Sequence, residues 1–164
     1  MEQKYIYSFS QIEDKVKALH ETNTEAAAAV ALSWLGLSRD ELKTLRVSDY
    51  NSTMRMLHSA GRVVYVREDL IADMLKAICE EAPEYSMGFF ITDVNSAYEA
   101  AEKQELSPIS VLKMRYFYEK HSAKLSGEPE DRVFLKEILC SVGESEADME
   151  KQFAEYEKDA PEKI

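Results

Sequence analysis

The sequence has no long apolar run, and this absence argues against a protein that crosses a membrane by helices. A membrane-spanning helix needs about 20 predominantly apolar residues, and no stretch of the 164-residue chain approaches that length. The N-terminal residues Met1 to Lys4 also lack the basic and then apolar order of a signal peptide. We therefore expect a cytoplasmic protein with no membrane partner.

Cysteine and histidine are scarce, which argues against disulfides and metal sites. Cys79 and Cys140 lie in apolar helical patterns without a nearby thiol or histidine, so we expect two buried, reduced thiols. The histidines, His20, His58 and His121, are scattered, whereas zinc ligands normally come in close pairs. The sequence also has no glycine-rich phosphate loop and no Ser/His/Asp set. We predict no metal and no cofactor.

Basic residues are in the minority, since 20 Lys and Arg stand against 31 Asp and Glu, for a net charge of −11. This balance argues against a protein that coats nucleic acid, because neutralising phosphates needs clustered lysine and arginine. The charge is nevertheless segregated. Arg39 to Arg67 contains six basic and three acidic residues, whereas Glu68 to Glu105 contains ten acidic and two basic ones. Either these are two solvated faces of an acidic protein, or the basic intervals form a residual anion-binding face.

Nothing in the sequence divides the chain into parts. It has no internal repeat, and its five glycines and four prolines fall mostly between predicted elements. A hydrophobic content of 45% suits one compact domain with a single core. We predict one domain over residues 1–157 and a charged, frayed tail over residues 158–164.

Capping residues and apolar spacing predict two helices at the start of the chain. Ser10 and Glu13 have the spacing of a capping box for the first helix. The alanine-rich run Glu25 to Leu35 is apolar almost all round, which is typical of a helix buried in the domain centre. Trp34 should anchor that core.

The next segment predicts a tight turn between helices. Gly36 should end the buried helix, because glycine favours the left-handed conformation that often follows a helix. Ser38 and Glu41 form a second capping box, which predicts a short helix ending near Leu45.

The rest of the chain predicts a small antiparallel sheet followed by helices. Two arms that flank Ala60 and Gly61 have the pattern of a β-hairpin. The predicted elements are the hairpin arms Thr53 to Ser59 and Arg62 to Val66, a helix capped by Asp69 and running to Glu81, a short strand from Phe89 to Thr92, and helices near residues 95–104, 108–125, 131–141 and 145–156. The predicted class is α+β and mainly helical.

Five short segments carry a more specific pattern, and they occur in a fixed order. They are Leu35 to Leu42, Leu45 to Tyr50, Gly61 to Leu70, Phe89 to Thr92 and Leu106 to Pro108. The first contains Gly-Leu-Ser-Arg-Asp-Glu-Leu and the second Leu-Arg-Val-Ser-Asp-Tyr. Together the five resemble the tyrosine recombinase (phage integrase) family. The resemblance covers essentially the whole chain, and it implies an integrase catalytic-domain-like fold with a small antiparallel β-sheet.

The resemblance also implies a chemistry that this chain has lost. The family cleaves DNA with a tyrosine nucleophile, while arginines, a lysine and histidines stabilise the charge at the scissile phosphate. The family's lysine has no clear counterpart in the hairpin. The other matching positions are Ser38 for the first arginine, Glu41 for an acidic residue, Ser110 and Lys113 for His-x-x-Arg, Glu144 for a histidine and Phe153 for the nucleophile. Tyr156 lies three residues beyond and would replace Phe153 only after a shift of nearly one turn. We expect no strand cleavage and no enzyme.

Two functions of different classes fit this reading. In the first, the chain is a catalytically inactive DNA-binding or regulatory module from a phage or mobile element. Its predicted contacts to double-stranded DNA are Arg39, Lys43, Arg46, Arg55, Arg62, Lys113 and Arg115.

In the second, the chain is an acidic protein-interaction or antagonist module that binds a recombinase, another DNA-binding protein or a second copy of itself. Its predicted contact surface is the C-terminal helix, where Met149, Phe153 and Tyr156 recur at helical spacing. The same spacing also fits packing of these side chains on the chain's own core.

Overall fold

A computed structural model describes residues 9–82, 87–127 and 132–160 of the chain. The described elements are α1 (Phe9–Thr22), α2 (Thr24–Trp34), α3 (Arg39–Thr44), a 3₁₀ turn (Val47–Asp49), β1 (Tyr50–Asn51), β2 (Met56–Ser59), β3 (Arg62–Tyr65), α4 (Asp69–Glu81), α5 (Val94–Lys103), α6 (Pro108–Ser126), α7 (Arg132–Val142) and α8 (Glu146–Asp159). The predicted class is confirmed, because the structure is mainly helical with one small antiparallel sheet.

Helix α2 lies at the centre of the fold. The side chain of Asn23 accepts a 3.0 Å hydrogen bond from the backbone N–H of Ala26 and so caps the helix. Every residue from Ala26 to Trp34 is buried. Because most of these side chains are small, α1, α5 and α6 can all pack closely around the helix. The prediction of a central buried helix around Trp34 is confirmed.

Gly36 ends α2 in the left-handed conformation, with φ of +98°. The ring of Phe134, from α7, lies against the glycine so closely that a Cβ built there would be 2.2 Å from two ring carbons. Glycine is therefore required both for its backbone angle and for the space it leaves. This contact ties the end of α2 to α7.

The sheet has the order β1-β2-β3 and is antiparallel throughout. Ala60 and Gly61 form the two-residue turn between β2 and β3, and both have positive φ, 50° and 78°, as a type I′ hairpin turn requires. The predicted hairpin is confirmed, although its first arm begins at Met56 rather than at Thr53. Strand β3 lies at an edge of this sheet.

The predicted strand from Phe89 to Thr92 is wrong. Phe89 forms only an isolated bridge with Arg46. The backbone N–H of Thr92 donates a 2.7 Å hydrogen bond to the carboxylate of Glu25 instead of to another strand. A side-chain acceptor thus satisfies the backbone where a ladder bond was expected.

Two predicted helix starts also differ. Helix α1 already includes Phe9, so Ser10 is a helical residue rather than the capping residue. Asp69 is the first residue of α4, and Glu68 precedes it at the capping position without a capping hydrogen bond. The side chains have other partners, since Asp69 pairs with Arg55 and Glu68 accepts from Trp34.

The predictions for the cysteines and for the tail need correction as well. Both thiols are free, as expected, but Cys79 is only half-buried and Cys140 is exposed, because Cys140 lies off the apolar face of α7. Helix α8 continues to Asp159, so the first two residues of the predicted frayed tail are helical. An ion pair between Lys124 and Glu157 fastens this last turn to α6. Residues 161–164 lie outside the described residues.

The buried side chains of the described residues form two clusters rather than one. The central cluster contains residues from α1 to α5, the sheet and the start of α6, with α2 in its middle. The C-terminal cluster joins the rest of α6 to α7 and α8, and its buried members are Leu112, Met114, Tyr116, Phe117, Leu135, Ile138, Met149 and Tyr156. Helix α6 therefore belongs to both.

Candidate functional site

The capping box at the start of α3 holds the first of the predicted site residues. Ser38 Oγ accepts a 3.2 Å hydrogen bond from the backbone N–H of Glu41, and the Glu41 carboxylate accepts a 3.1 Å bond from the Ser38 backbone. The predicted capping box is therefore confirmed. It commits the Ser38 hydroxyl to the helix start.

The Glu41 carboxylate also reaches the sheet. Arg62, at the start of β3, donates to both of its oxygens at 2.8 and 3.0 Å, and Ser59 Oγ donates at 2.7 Å. Burial by itself would raise the pKa of Glu41, but the hydrogen bonds from Ser59, the Ser38 backbone and Arg62 outweigh it and lower the pKa below its ordinary value. Glu41 is thus an ionised, structural carboxylate that links α3 to the hairpin.

Arg62 has a second acidic partner on α7. Its Nε lies 2.7 Å from Glu137 Oε2, which is close enough for an ion pair, although the two groups are misaligned for a hydrogen bond. The same guanidinium donates a 2.9 Å bond to the Gly36 carbonyl and lies 5.5 Å from the ring centre of Phe134. Its side chain is only 16% exposed. Arg62 therefore joins the sheet, α2 and α7.

Arg115, on α6, has a similar environment. Its guanidinium is 2.6 Å from Glu119 and 3.9 Å from Glu68, and it lies 5.2 Å from the ring centre of Trp34 and 6.0 Å from that of Phe134. Trp34 Nε1 in turn donates a 3.1 Å bond to Glu68. The two arginines thus share the Phe134 ring, and each is neutralised by two carboxylates.

A cavity of about 400 Å³ lies beside these two arginines, and we call it the β3 groove. One wall is the strand β3 itself with Arg67. The opposite wall is formed by side chains from α2, α6 and α7, namely Leu35, Arg115, Glu119, Phe134 and Glu137.

Lys113, on α6, and Glu144, between α7 and α8, form a separate ion pair. Their side chains are about one-quarter exposed, and Gln152 also donates to the Glu144 carboxylate. The hydrogen bond from Lys113 is the main cause that lowers the pKa of Glu144. A protein carboxylate therefore occupies the position beside Lys113 where the resemblance would place a phosphate.

The remaining positions from the resemblance do not gather into one site. Ser110 is exposed near the start of α6. Phe153 is partly buried, and its ring centre lies 6.4 Å from that of Phe117. Tyr156 is fully buried, with its ring stacked 5.4 Å from Phe117 and packed edge-on against His121. Both aromatic rings serve the C-terminal core in this structure.

The same packing corrects the prediction that α8 presents a contact surface to a partner. Met149 and Tyr156 are both fully buried, and Phe153 packs against the same cluster. The alternative of packing on the chain's own core is therefore confirmed, and these three residues do not form an open surface in this fold.

The other predicted DNA contacts lie on the outside. Arg39 donates to Asn95, Arg46 donates to the Met87 carbonyl and stacks 4.4 Å from the ring centre of Phe89, and Lys43 lines a small depression with residues 89–95. We call these three residues the α3 basic surface. Arg55 is elsewhere, paired with Asp69 at 2.8 Å. The seven predicted contacts therefore have four different local environments: the groove with Arg62 and Arg115, the Lys113 ion pair, the Arg55 ion pair and the α3 basic surface.

Several residues of the groove escaped prediction. Glu119 has a local signal, because it follows Arg115 by four positions on one helix. Phe134 and Glu137 have none, since their partners are distant in sequence, and the same holds for Glu68, which pairs with Arg115 but does not line the groove. For Tyr65 the sequence predicts only a position in a strand.

Two general findings limit the chemistry of the described residues. None of their helices combines the length and the apolar character that a bilayer crossing demands. In the same ranges, no group of three or more His, Cys, Asp or Glu side chains is placed to hold a metal ion.

No known protein family, curated protein or solved structure matches the chain. The resemblance to tyrosine recombinases therefore stays a prediction, and the function has to be argued from the site.

Proposed function

We propose that the chain is a non-catalytic, acidic protein-interaction module that binds a basic DNA-binding protein rather than DNA. The observation that carries the proposal is the pairing of the predicted DNA contacts. Of the seven, five have a carboxylate of the described residues within 4 Å, namely Lys43, Arg55, Arg62, Lys113 and Arg115.

Paired cations bind DNA weakly for a simple reason. A protein gains affinity for a duplex mainly because its cations replace the counterions condensed on the phosphates. Arg62 and Arg115 would first have to leave their carboxylates, which are fixed in half-buried positions. Such a separation leaves a buried charge without its partner and costs roughly 3–5 kcal/mol. The net charge of −11 adds a general repulsion of DNA.

The same acidity favours a basic partner. Proteins that bind DNA present clustered lysine and arginine, which a chain of net charge −11 attracts over several ångströms. A recombinase is one such partner, and the five sequence segments that resemble that family support a common descent. In this proposal the chain is an integrase-like domain that has lost strand cleavage and acts on the active protein.

The loss of cleavage is supported by three positions of the resemblance. Ser38 replaces a phosphate-binding arginine and caps α3. Phe153 replaces the nucleophile and has no hydroxyl group. Glu144 pairs with Lys113 and would repel a phosphate there.

A paired titration tests the proposal. The purified protein is added to a labelled random-sequence duplex and, separately, to a purified tyrosine recombinase, with lysozyme as an equally basic control protein. We expect binding of the recombinase that exceeds binding of lysozyme, and no duplex binding even at low salt. Duplex binding that weakens steeply with salt, together with equal binding of the two proteins, would overturn the proposal.

One observation favours a second candidate, which is DNA binding through the α3 basic surface. Arg39 and Arg46 donate to neutral acceptors, so their charges are not cancelled by those contacts. If DNA binds there, Arg39→Glu with Arg46→Glu should remove the affinity and reduce the salt slope by about 2. Arg55→Glu should have little effect, because Arg55 already pairs with Asp69.

A further inference from the structure

A second cavity, of about 360 Å³, lies where the end of α1, the start of α2 and the end of α4 meet the segment that follows Gly88. We call it the Glu25 pocket. Its apolar lining includes Ile78 and the rings of Phe89 and Phe90, and its ionisable lining residues are His20, Glu25 and Glu81. A cavity of this size can hold a small ligand or one side chain of a partner protein.

The charge of the Glu25 pocket is negative. Among the described residues, its lining contains two carboxylates and neither lysine nor arginine, so its formal charge is −2 with histidine counted as neutral. Three acidic residues, Glu21, Glu80 and Asp93, are next to lining residues in sequence, whereas Lys76 is the one basic residue that is. The lining of the β3 groove instead mixes arginines with carboxylates. Of the two cavities, the Glu25 pocket therefore favours a cation.

The two carboxylates have no cationic partner in the described parts of the chain. The carboxylate of Glu81 is exposed and forms neither a hydrogen bond nor an ion pair there. The carboxylate of Glu25 accepts from neutral groups, chiefly the backbone N–H and the hydroxyl of Thr92. Thr92 Oγ1 lies 2.9 and 2.7 Å from the two oxygens of Glu25, but its single hydrogen can serve only one of them. Glu25 is thus held in place and can still accept from a donor in the pocket.

The aromatic rings of the pocket narrow the choice of cation. Phe90 is buried and Phe89 is half-buried. The ring of Phe89 already contacts one guanidinium, because Arg46 Cζ lies 4.4 Å from the ring centre, although Arg46 is not part of the pocket lining. A guanidinium stacks on aromatic rings and binds carboxylates with a planar set of donors, whereas an ammonium group is more strongly hydrated. Carboxylates beside aromatic walls therefore favour arginine over lysine.

We propose that the Glu25 pocket binds an arginine side chain of the basic partner protein, with the guanidinium donating to Glu25 and the aliphatic stem against the apolar lining. The exposed Glu81 adds attraction. This inference rests on the proposed function and specifies the contact that recognises the partner. A phosphate group is disfavoured as occupant, because the same two carboxylates repel it. A second copy of the chain is disfavoured as well, because two chains of net charge −11 repel each other.

Three short peptides that differ at one residue test the pocket directly. The first is an otherwise uncharged peptide with a central arginine. The second has citrulline there, which keeps the shape of arginine without its charge, and the third has lysine. NMR titration of the unaltered protein at low salt measures their affinities. We expect the arginine peptide to bind at least about tenfold more tightly than the citrulline peptide, which is about 1.4 kcal/mol, and also more tightly than the lysine peptide.

Two double variants of equal net charge then locate the contact. The pocket variant combines Glu25→Gln with Glu81→Gln, and glutamine at position 25 keeps an oxygen that can accept from Thr92. The control variant combines Glu21→Gln with Glu80→Gln, which removes two carboxylates from exposed positions on α1 and α4 outside the pocket lining. The pocket variant should weaken binding of the arginine peptide at least about tenfold, and the control variant should weaken it less than about twofold.

Amide shifts in the unaltered protein keep the test valid if the pocket variant fails to fold. The arginine peptide should shift the amide signals of Phe89 and Phe90 more than those of α8. The inference is overturned if the citrulline or the lysine peptide binds equally tightly, if the control variant weakens binding as much as the pocket variant, or if the shifts lie elsewhere. Recombinase binding that is unchanged in the pocket variant would reject this site alone, whereas absence of recombinase binding by the unaltered protein rejects the proposed function.

Discussion

The two core clusters reach the same degree of burial by opposite means. In the central cluster, α2 is buried from Ala26 to Trp34 and brings mostly small side chains, so its neighbours approach its backbone. In the C-terminal cluster, aromatic rings fill the space between α6 and α8, such as Phe117 stacked on Tyr156. The central cluster is packed through the close approach of helix backbones, whereas the C-terminal cluster is packed through large aromatic side chains.

This difference implies different weaknesses. A close-packed helix of alanines tolerates the loss of atoms but not their addition, because there is no space for extra methylene groups. A ring cluster has the reverse property, since removal of one ring leaves a large cavity. The joint between the clusters, where Phe134 covers Gly36, should share the first weakness.

The largest expected effect is the loss of a ring from the C-terminal cluster. Phe117 is fully buried and touches Tyr116, Phe153 and Tyr156. Phe117→Ala should lower the free energy of unfolding by about 3–5 kcal/mol, because the cavity cannot close. Urea unfolding measures it. Phe153→Ala is the control, and since Phe153 is only partly buried its loss should cost less than half as much. Equal decreases in the free energy of unfolding would show that the burial of a ring does not determine its contribution to stability.

A methyl group at the joint should be nearly as harmful. Gly36→Ala combines a positive φ with a clash against the Phe134 ring, so we expect a loss of about 3 kcal/mol. Gly143→Ala provides the match, because Gly143 also has positive φ but no atom within 4 Å of the added carbon. Gly143→Ala should lower the free energy of unfolding by only about 1 kcal/mol. The thermal unfolding midpoints of the two variants measure the difference. A difference near zero would mean that Phe134 moves away freely.

Adding volume to α2 tests the closeness of the central cluster. Ala29→Leu should cost about 2 kcal/mol, because the fully buried helix has to move from its neighbours. The same substitution at Ala154, which is exposed on α8, should change stability by less than about 0.5 kcal/mol. Chemical denaturation of both variants decides the matter. A neutral Ala29→Leu would disprove tight packing around α2.

The smallest effect concerns pH and the Glu41 carboxylate. Its pKa is below the ordinary value of 4.5 in the folded state. The ionised form therefore stabilises the fold fully above pH 4.5, and this contribution is lost as the pH falls through the lower folded-state pKa. Glu41→Gln should destabilise the protein by only roughly 1 kcal/mol at neutral pH, because the amide keeps an acceptor oxygen and Arg62 keeps its second carboxylate, Glu137. Below the folded-state pKa of Glu41, the unaltered protein and Glu41→Gln should have similar free energies of unfolding. Unfolding curves recorded between pH 3 and 7 measure this convergence. A constant difference across that range would exclude Glu41 as the cause.

Local patterns predicted much of the fold. The capping box of Ser38 and Glu41, the buried alanine helix and the hairpin turn at Ala60 depend on residues close in sequence, and the structure contains all three. The prediction of a strand at residues 89–92 is wrong for the opposite reason. Its backbone is bonded by Glu25, 67 residues away, and no local pattern reports such a partner.

The candidate site was predictable only in part. Arg62 and Arg115 were selected for their charge, but their carboxylate partners Glu68 and Glu137 come from distant elements. Without those partners, each arginine resembled a free DNA contact. The charge of a residue is a local fact, whereas its neutralisation depends on the tertiary structure.

The unequal burial of the two cysteines has a practical consequence. Burial raises the pKa of the Cys79 thiol, with a smaller contribution from Glu80, and its sulfur faces the Val47 carbonyl at 3.6 Å. Cys140 is exposed on α7. Because thiol reagents attack the accessible thiolate, a maleimide dye at neutral pH should label Cys140 first. The natural sequence thus offers a preferred attachment point for a fluorophore on the helix that bears Phe134 and Glu137, and brief labelling follows that helix in solution without mutagenesis.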